Sequence, residues 1–165
     1  MAVTPTGFLS TPVDTLRTML ANSAAFQTWV GAADATAAKA RIYPFTIDEG
    51  SYTRPYAIVT FGDGGFSLNN VGTGAADSFQ DRGQLRIFFE ANVSAGNQGN
   101  HADSVYEFTN QIGAVLSDIA ALAVSGYLVI SSFRVSVPSR SDAEEKDAGA
   151  DYFNVVVEVE YGIEG

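Results

Sequence analysis

The spacing of hydrophobic residues near the beginning of the chain predicts a helix. Apolar side chains recur at roughly helical intervals from Leu16 to Val30, which places them on one side of a helix. Asp14 is a residue type that caps helix N-termini, because its carboxylate accepts hydrogen bonds from free backbone N–H groups. Gly31 is suited to a helix C-terminus. The pattern therefore predicts a first helix over residues 14–30.

The longest apolar stripe of the chain predicts a second main helix. Large apolar side chains recur at intervals of three and four residues over about 102–123, so one broad side of this helix should pack across a sheet. The alanine-rich stretch 33–40, with Asp34 near its start, predicts one short helical turn between the two main helices. Residues 1–12 are predicted to form an extended segment.

Five other stretches are rich in β-branched and aromatic residues, which favours strands. They are residues 41–44, 56–61, 83–92, 127–137 and 152–162. The third and the last alternate clearly between apolar and polar positions, so one side of each should face a core and the other side solvent. The last two stretches follow each other in the chain, which predicts an antiparallel hairpin.

The remaining segments predict loops, and the order of elements predicts the fold class. Residues 66–81 hold glycine, alanine and asparagine, and residues 138–151 are charged, so both are expected to be long loops. Residues 1–165 are expected to form a single domain. We predict an α+β fold, in which a largely antiparallel twisted sheet of about five strands carries two main helices on one face and ends in a long C-terminal β-hairpin.

The composition excludes several classes of function. The chain has no cysteine, which excludes disulfides, thiol nucleophiles and cysteine-ligated metal sites. No stretch of 18 apolar residues occurs, so a soluble protein without a membrane partner is expected. The net charge of −10 argues against tight binding to nucleic-acid phosphates or to an anionic membrane surface. The acidity is explained either by dispersion of a soluble protein or by a surface that lets DNA pass.

No catalytic, cofactor or metal motif is present in the sequence. His101 is the only histidine, and a helix-start position explains it without a catalytic role. The glycine-rich stretches 62–65 and 94–100 match neither phosphate-binding fingerprint. The acids of 142–151 do not follow the spacing of a helix-flanked calcium loop. We therefore expect a protein that is not an enzyme and that has no catalytic residue, cofactor or metal ligand.

The charged segment 138–151 is instead interpreted as an arm that docks on another protein. Ordering a polar loop costs about 1–2 kcal/mol of backbone entropy per residue, and such a loop buries little apolar surface in return. A partner that orders the loop on docking would offset this cost. Arg140 and Lys146 stand among the acids, and mixed signs suit a specific charged contact.

Several short phrases of the sequence resemble one protein family. They are FQTWVG (26–31), RIYPF (41–45), RPYAIVTFGD (54–63), GQLRIFFEA (83–91) and the closing PSRSDAEEKDAGADYFNVVVEVEYG (138–162). In these phrases and in the order of its elements, nearly the whole chain resembles the tail terminator proteins of long-tailed bacteriophages.

The resemblance implies a structural function in the virion. Such a protein would be assembled in the host cytoplasm as a homohexameric ring on the finished tail tube. It would stop tube polymerisation and form the head–tail joining surface through which DNA passes without specific binding. Its partners would be copies of itself, the tail tube protein and the connector or neck proteins, and its sheet would line or flank the channel.

The same resemblance assigns the two long loops to assembly. The assembly residues that it implies are Arg140, Asp142, Glu144, Glu145, Lys146, Asp147, Phe66, Leu68 and Asn69.

Two alternatives remain at the level of the sequence. The first is a head–tail connector, a neck completion protein or a tail tube component of the same virion, because these proteins can share the order of elements. The second is an enzyme or a small-molecule-binding α+β domain, which a ligand-dependent rise in melting temperature would identify.

Overall fold

The computed structural model describes residue 4 and residues 10–45, 52–70, 79–92, 101–122, 129–141 and 152–164. Within these residues the chain forms four helices and six strands. The helices are α1 (Thr11–Asn22), α2 (Ala24–Val30), α3 (Ala35–Lys39) and α4 (His101–Ala121). The strands are β1 (Ile42–Pro44), β2 (Tyr56–Asn70), β3 (Phe79–Asn92), β4 (Val129–Val135), β5 (Ser139–Ser141) and β6 (Tyr152–Glu164).

The strands form one mixed sheet in the order β1-β2-β3-β6-β4, with the short β5 also paired to β6. Only the β1–β2 pair is parallel, and the other pairs are antiparallel. The prediction of an α+β fold with a largely antiparallel sheet and a C-terminal hairpin is therefore confirmed. The hairpin differs in one respect, because β6 lies between β3 and β4 and pairs with both strands.

The hydrophobic core lies between the helices and one face of the sheet. The alternate residues Leu85, Ile87 and Phe89 of β3 are fully buried, as predicted, because they point towards the helices. The matching residues of β6 are buried in the same way, namely Phe153, Val155, Val157, Val159 and Tyr161. Helix α4 crosses this face, and the rings of Phe108 and Phe153 stack with centroids 5.6 Å apart.

The first helix begins earlier than predicted. Helix α1 starts at Thr11, and Pro12 lies in its first turn, where a missing N–H group costs no hydrogen bond. The prediction that residues 1–12 are extended was therefore wrong for Thr11 and Pro12. Asp14 is not the N-cap. It lies inside the first turn, where it forms ion pairs with Arg17 and Lys39, both at 3.3 Å.

The predicted single helix over 14–30 is two helices, because Ser23 interrupts it. Ser23 has extended dihedral angles, φ −70° and ψ 122°, and its hydroxyl accepts a hydrogen bond from the Phe26 N–H group at 3.0 Å. The Asp118 carboxylate of α4 accepts hydrogen bonds from the Ala25 N–H group at 2.9 Å and from the Ser23 hydroxyl at 2.8 Å. These bonds lower the pKa of Asp118. The new helix start is therefore capped from within and from α4.

The predicted helix ends at Gly31 and Asp34 are confirmed. Gly31 ends α2 in the left-handed conformation, with φ 67°. The Asp34 carboxylate caps α3 by accepting a hydrogen bond from the Ala37 N–H group at 2.8 Å. The predicted helix over 102–123 is α4, which ends two residues earlier.

Both predicted long loops are shorter than expected. Residues 66–70 and 79–81 are not loop, because they pair with each other as the outer part of the β2–β3 hairpin. Residues 139–141 form β5, and β4 itself is shorter than the predicted strand 127–137. Cross-strand pairing stabilises these residues despite their low intrinsic preference for strands. Residues 71–78 and 142–151, between the paired strands, lie outside the described residues.

Among the described residues, no helix is both long enough and apolar enough to cross a membrane.

Candidate functional site

The structure places only part of the predicted assembly residues. Phe66, Leu68 and Asn69 belong to β2 and pair with Gly83, Asp81 and Gln80 of β3. Arg140 belongs to β5 and pairs with Phe153. Asp142, Glu144, Glu145, Lys146 and Asp147 lie outside the described residues. The two hairpins therefore project from different strand pairs, and the role of these residues in assembly stays a prediction.

The sheet face that points away from the helices is the first surface of interest, and we call it the helix-free face. Three cross-strand rows of β2, β3 and β6 cross it side by side. The rows are Tyr56–Glu90–Asn154, Ile58–Phe88–Val156 and Thr60–Arg86–Glu158. An apolar row thus lies between two rows that carry charge.

A buried glutamate organises one end of the helix-free face. Glu90 is 6% exposed, and its Oε1 atom accepts hydrogen bonds from Arg54 Nε at 2.5 Å and from the Tyr56 hydroxyl at 2.9 Å. The guanidinium of Arg54 lies over the rings of Tyr152 and Tyr52, at 4.3 and 5.3 Å from their centroids. We call these five residues the Arg54 cluster. It holds the segment before β2 against the sheet.

Burial and the nearby carboxylate determine the protonation of the cluster. Burial, together with the charge of Glu90 and the hydrogen bond to it, raises the pKa of Tyr56, so the phenol keeps its proton and donates a hydrogen bond to the carboxylate. Burial lowers the pKa of Arg54, but its hydrogen bond and charge interaction with Glu90 outweigh this effect and raise that pKa overall. At neutral pH the Tyr56 phenol is therefore neutral and the Arg54 guanidinium is charged.

A second ion-pair network lies two rows away. Arg86 donates hydrogen bonds to Glu158 Oε1 and to Asp63 Oδ2, both at 2.6 Å. These two bonds raise the pKa of Arg86. Asp63 lies where the register of the β2–β3 pair shifts, and the next residue, Gly64, donates its N–H group to Gln84 Oε1 at 2.7 Å. The network therefore fixes an irregular part of β2 on the sheet.

Positive and negative charges are balanced on the helix-free face. Its described charged side chains are four arginines and four carboxylates, namely Arg54, Arg82, Arg86, Arg134, Asp63, Glu90, Glu158 and Glu160. The acidity of the chain is therefore concentrated elsewhere. Residues 142–151 alone contribute five acids and one lysine, a net charge of −4.

The outer edge of β4 is the second surface of interest, and we call it the β4 edge. The Ser136 N–H group donates to the Val156 carbonyl at 2.8 Å, so Ser136 faces β6. Because the direction of backbone groups alternates along a strand, the N–H and C=O groups of Phe133 and Val135 point away from the sheet. Val135 and Val137 are 48% and 85% exposed. No described strand pairs with the outer side of β4, so within the described residues the β4 edge is apolar and open.

A groove adjoins the β4 edge on the helix side. It has a volume of about 470 Å³, and its apolar lining includes Met19 of α1, Ile119 and Leu122 at the end of α4, and Ile130 and Phe133 of β4.

The opposite edge of the sheet, β1, is closed. Ala57 donates to the Arg41 carbonyl and Phe45 donates to the Val59 carbonyl, so the backbone groups of Ile42 and Pro44 point outwards. The Ile42 carbonyl accepts hydrogen bonds from Arg17 Nη2 at 2.9 Å and Nε at 3.2 Å. Pro44 has no N–H group to offer. The two edges of the sheet thus differ in their capacity to bind another strand.

The described residues bring no catalytic or metal-binding group together. No cluster of three or more His, Cys, Asp or Glu side chains occurs among them. The buried carboxylate of Glu90 is occupied by Arg54 and Tyr56, and the side chain of His101 is not among those described.

The sequence analysis did not predict the Arg54 cluster. One signal for it was present, because residues 52, 54 and 56 alternate as they would on one face of an extended chain. Glu90 lies on the predicted polar side of its strand. Their meeting depends on the β2–β3 register, which the sequence pattern does not specify.

Comparison with known proteins adds no relative, because no protein-family model matches the chain and no curated protein is significantly similar to it.

Proposed function

We propose that this chain is a structural virion protein that forms a ring on the completed tail tube, ends tube polymerisation and presents the surface that joins the tail to the head. The phrases that resemble tail terminators suggest this function, and the α+β fold is compatible with it. In the proposed ring, each copy contacts two neighbours through two different surfaces.

The observation that carries the proposal is the difference between the two edges of the sheet. An open apolar strand edge makes an isolated domain prone to aggregation unless another chain covers that edge. The opposite edge is closed by Arg17 and Pro44, so the open edge cannot be covered by simple pairing with the other edge of a copy. Contacts between unlike surfaces produce rings when the rotation closes.

The helix-free face is compatible with DNA passage. Tight binding to the phosphate backbone requires an excess of lysine and arginine that releases counterions. The described side chains of this face carry no such excess, and Arg54 and Arg86 are already paired with carboxylates. A ring that turned this face towards its channel would neither hold DNA nor repel it strongly.

The proposed mechanism is steric and involves no reaction. One side of the ring binds the end of the tube, and the other side offers no surface on which a further tube subunit can add. Each specific contact between subunits should bury about 1,000 Å² or more.

Copy number and position in the particle test this proposal. We expect quantitative mass spectrometry of purified virions to find this chain at a few per cent of the tail tube subunit, as one ring on many. Gold labelling of an affinity tag on the chain should mark one spot, at the head-proximal end of the tail. Label along the tail would identify a tube component, and absence from the virion would contradict the proposal.

A further inference from the structure

The surface of the β4 edge indicates which kind of partner strand can bind there. It offers outward backbone groups at Phe133 and Val135, exposed apolar side chains at Val135 and Val137, and the adjoining groove. A strand that adds to such an edge gains backbone hydrogen bonds, and its alternate side chains fill the apolar surface. The partner should therefore be an extended, uncharged segment with apolar side chains.

The residues before α1 have this chemistry. Residues 1–9 contain Met1, Val3, Phe8 and Leu9 and no charged side chain. By contrast, residues 142–151 carry a net charge of −4, and they would meet the carboxylate of Glu160, which pairs with Ser132 of β4. Residues 71–78 contain only one large apolar side chain, Val71. Residues 1–9 thus complement the β4 edge better than residues 71–78 or residues 142–151 do.

The start of α1 lies on the β1 side of the molecule. Asp14, in the first turn of α1, forms an ion pair with Lys39 at the end of α3, directly before β1. Residues 1–9 are therefore joined to the domain on the β1 side, whereas the open edge is β4. The sheet is about 19 Å wide between these edges, at about 4.8 Å per strand. Nine extended residues span about 30 Å, so they can reach the β4 edge of a copy placed beside β1.

We infer that residues 1–9 of one copy add as a further strand along the β4 edge of the next copy. This inference rests on the proposed ring and specifies its subunit contact. It also explains why β1 itself is closed, because the neighbour is bound through the arm and not through direct pairing of β1 with β4. Each copy then donates one arm and accepts one, which is the unlike pairing that a ring requires.

Cross-linking between two single-cysteine variants tests the inference directly. The chain has no cysteine, so each introduced thiol is unique. Ala2→Cys protein is mixed with Val135→Cys protein at about 1 mM and treated with a short bis-maleimide. We expect a mixed dimer at a yield at least tenfold above that of Ala2→Cys mixed with Tyr106→Cys. Tyr106 is a matched control because it is 66% exposed on α4.

A further substitution distinguishes strand addition from random collision. Val3→Asp in the Ala2→Cys chain adds a charge to the arm, and we expect it to reduce the mixed dimer to the control level. A yield equal to that of the Tyr106→Cys control would overturn the inference. So would a cross-link that forms only within one chain of an Ala2→Cys/Val135→Cys double variant, because the arm would then cover its own edge.

The two proposals fail in different ways. If the cross-link forms but the chain is absent from the tail end, the arm contact stands and the tail function is wrong. If the chain lies at the tail end but the cross-link does not form, the function stands and the arm contact is wrong.

Discussion

Removal of Arg54 should destabilise the protein strongly. Arg54→Met leaves the Glu90 carboxylate, whose side chain is 8% exposed, with the Tyr56 hydroxyl as its only described donor. Breaking a buried ion pair by removing one partner costs about 3–5 kcal/mol. Because the Arg54 side chain is 21% exposed, we expect the lower end of this range, about 3 kcal/mol at pH 7.

The guanidinium also loses its contacts with the rings of Tyr152 and Tyr52, which adds about 1 kcal/mol. The total destabilisation should therefore be about 4 kcal/mol at pH 7.

A double-mutant cycle separates the ion pair from other effects. Glu90→Gln keeps an acceptor for Tyr56 and leaves Arg54 within reach of water, so we expect a loss of about 1 kcal/mol. In Arg54→Met/Glu90→Gln no charge is buried, and the double variant should be more stable than Arg54→Met alone by about 1–2 kcal/mol.

Urea unfolding followed by tryptophan fluorescence measures these differences. Trp29 is the only tryptophan, and its ring lies 5.7 Å from that of Phe89 in the core, so its emission reports unfolding of the whole domain. A loss below about 1 kcal/mol for Arg54→Met would refute the reasoning.

Three further predictions concern other parts of the molecule. Gly83→Ala should lower the free energy of unfolding in urea by about 1–3 kcal/mol, because the added carbon collides with the Tyr161 ring. The control Gly113→Ala should raise it by about 0.5–1 kcal/mol, because the added carbon meets open space on α4. Asp118→Asn should be less stable than the natural chain at pH 7, because the hydrogen bonds that Asp118 accepts lower its pKa in the folded protein. This stability is present above the unfolded pKa of about 3.9 and is lost as the pH falls through the folded pKa, so the difference in melting temperature should close below about pH 4. Residues 142–151 can be replaced by a four-residue turn, because the adjoining ends of β5 and β6 are paired. This replacement should leave the urea midpoint of unfolding unchanged and abolish particle assembly. Assembly of normal particles would disprove the docking-arm assignment.

The sequence predicts those parts of the fold that depend on local periodicity. Leu85, Ile87 and Phe89 alternate with polar residues, so the buried side of β3 follows from the pattern alone. The stripe of α4 predicts its packing on the sheet for the same reason. Gly31 and Asp34 act through their own backbone and side chain, so the ends that they form were also predictable.

The differences arise where distant residues decide the structure. The apolar stripe continues through Ser23 without a gap, and it is Asp118 of α4, 95 residues away, that helps to hold the break between α1 and α2. The outer ends of β2 and β3, residues 66–70 and 79–81, are mostly polar, so only their pairing makes them strands.

The candidate surfaces could not be predicted from the sequence, because they also depend on contacts between distant residues. Glu90 and Arg54 are 36 residues apart, and the β2–β3 register brings them together. The openness of β4 follows from the sheet order, because β6 pairs with β3 on one side and leaves β4 at the margin. Neither register nor strand order follows from periodicity.

Tail length in the absence of the protein tests the central claim most directly. In the phage that the proposed function implies, a stop codon is placed near the start of the gene, and the particles are measured by electron microscopy, with the intact gene supplied in the host as the control. A protein that caps the tube predicts overlong tails without heads, and normal particles when the gene is supplied. Tails of normal length beside unjoined filled heads would show a connector instead, and intact infectious virions would contradict the account.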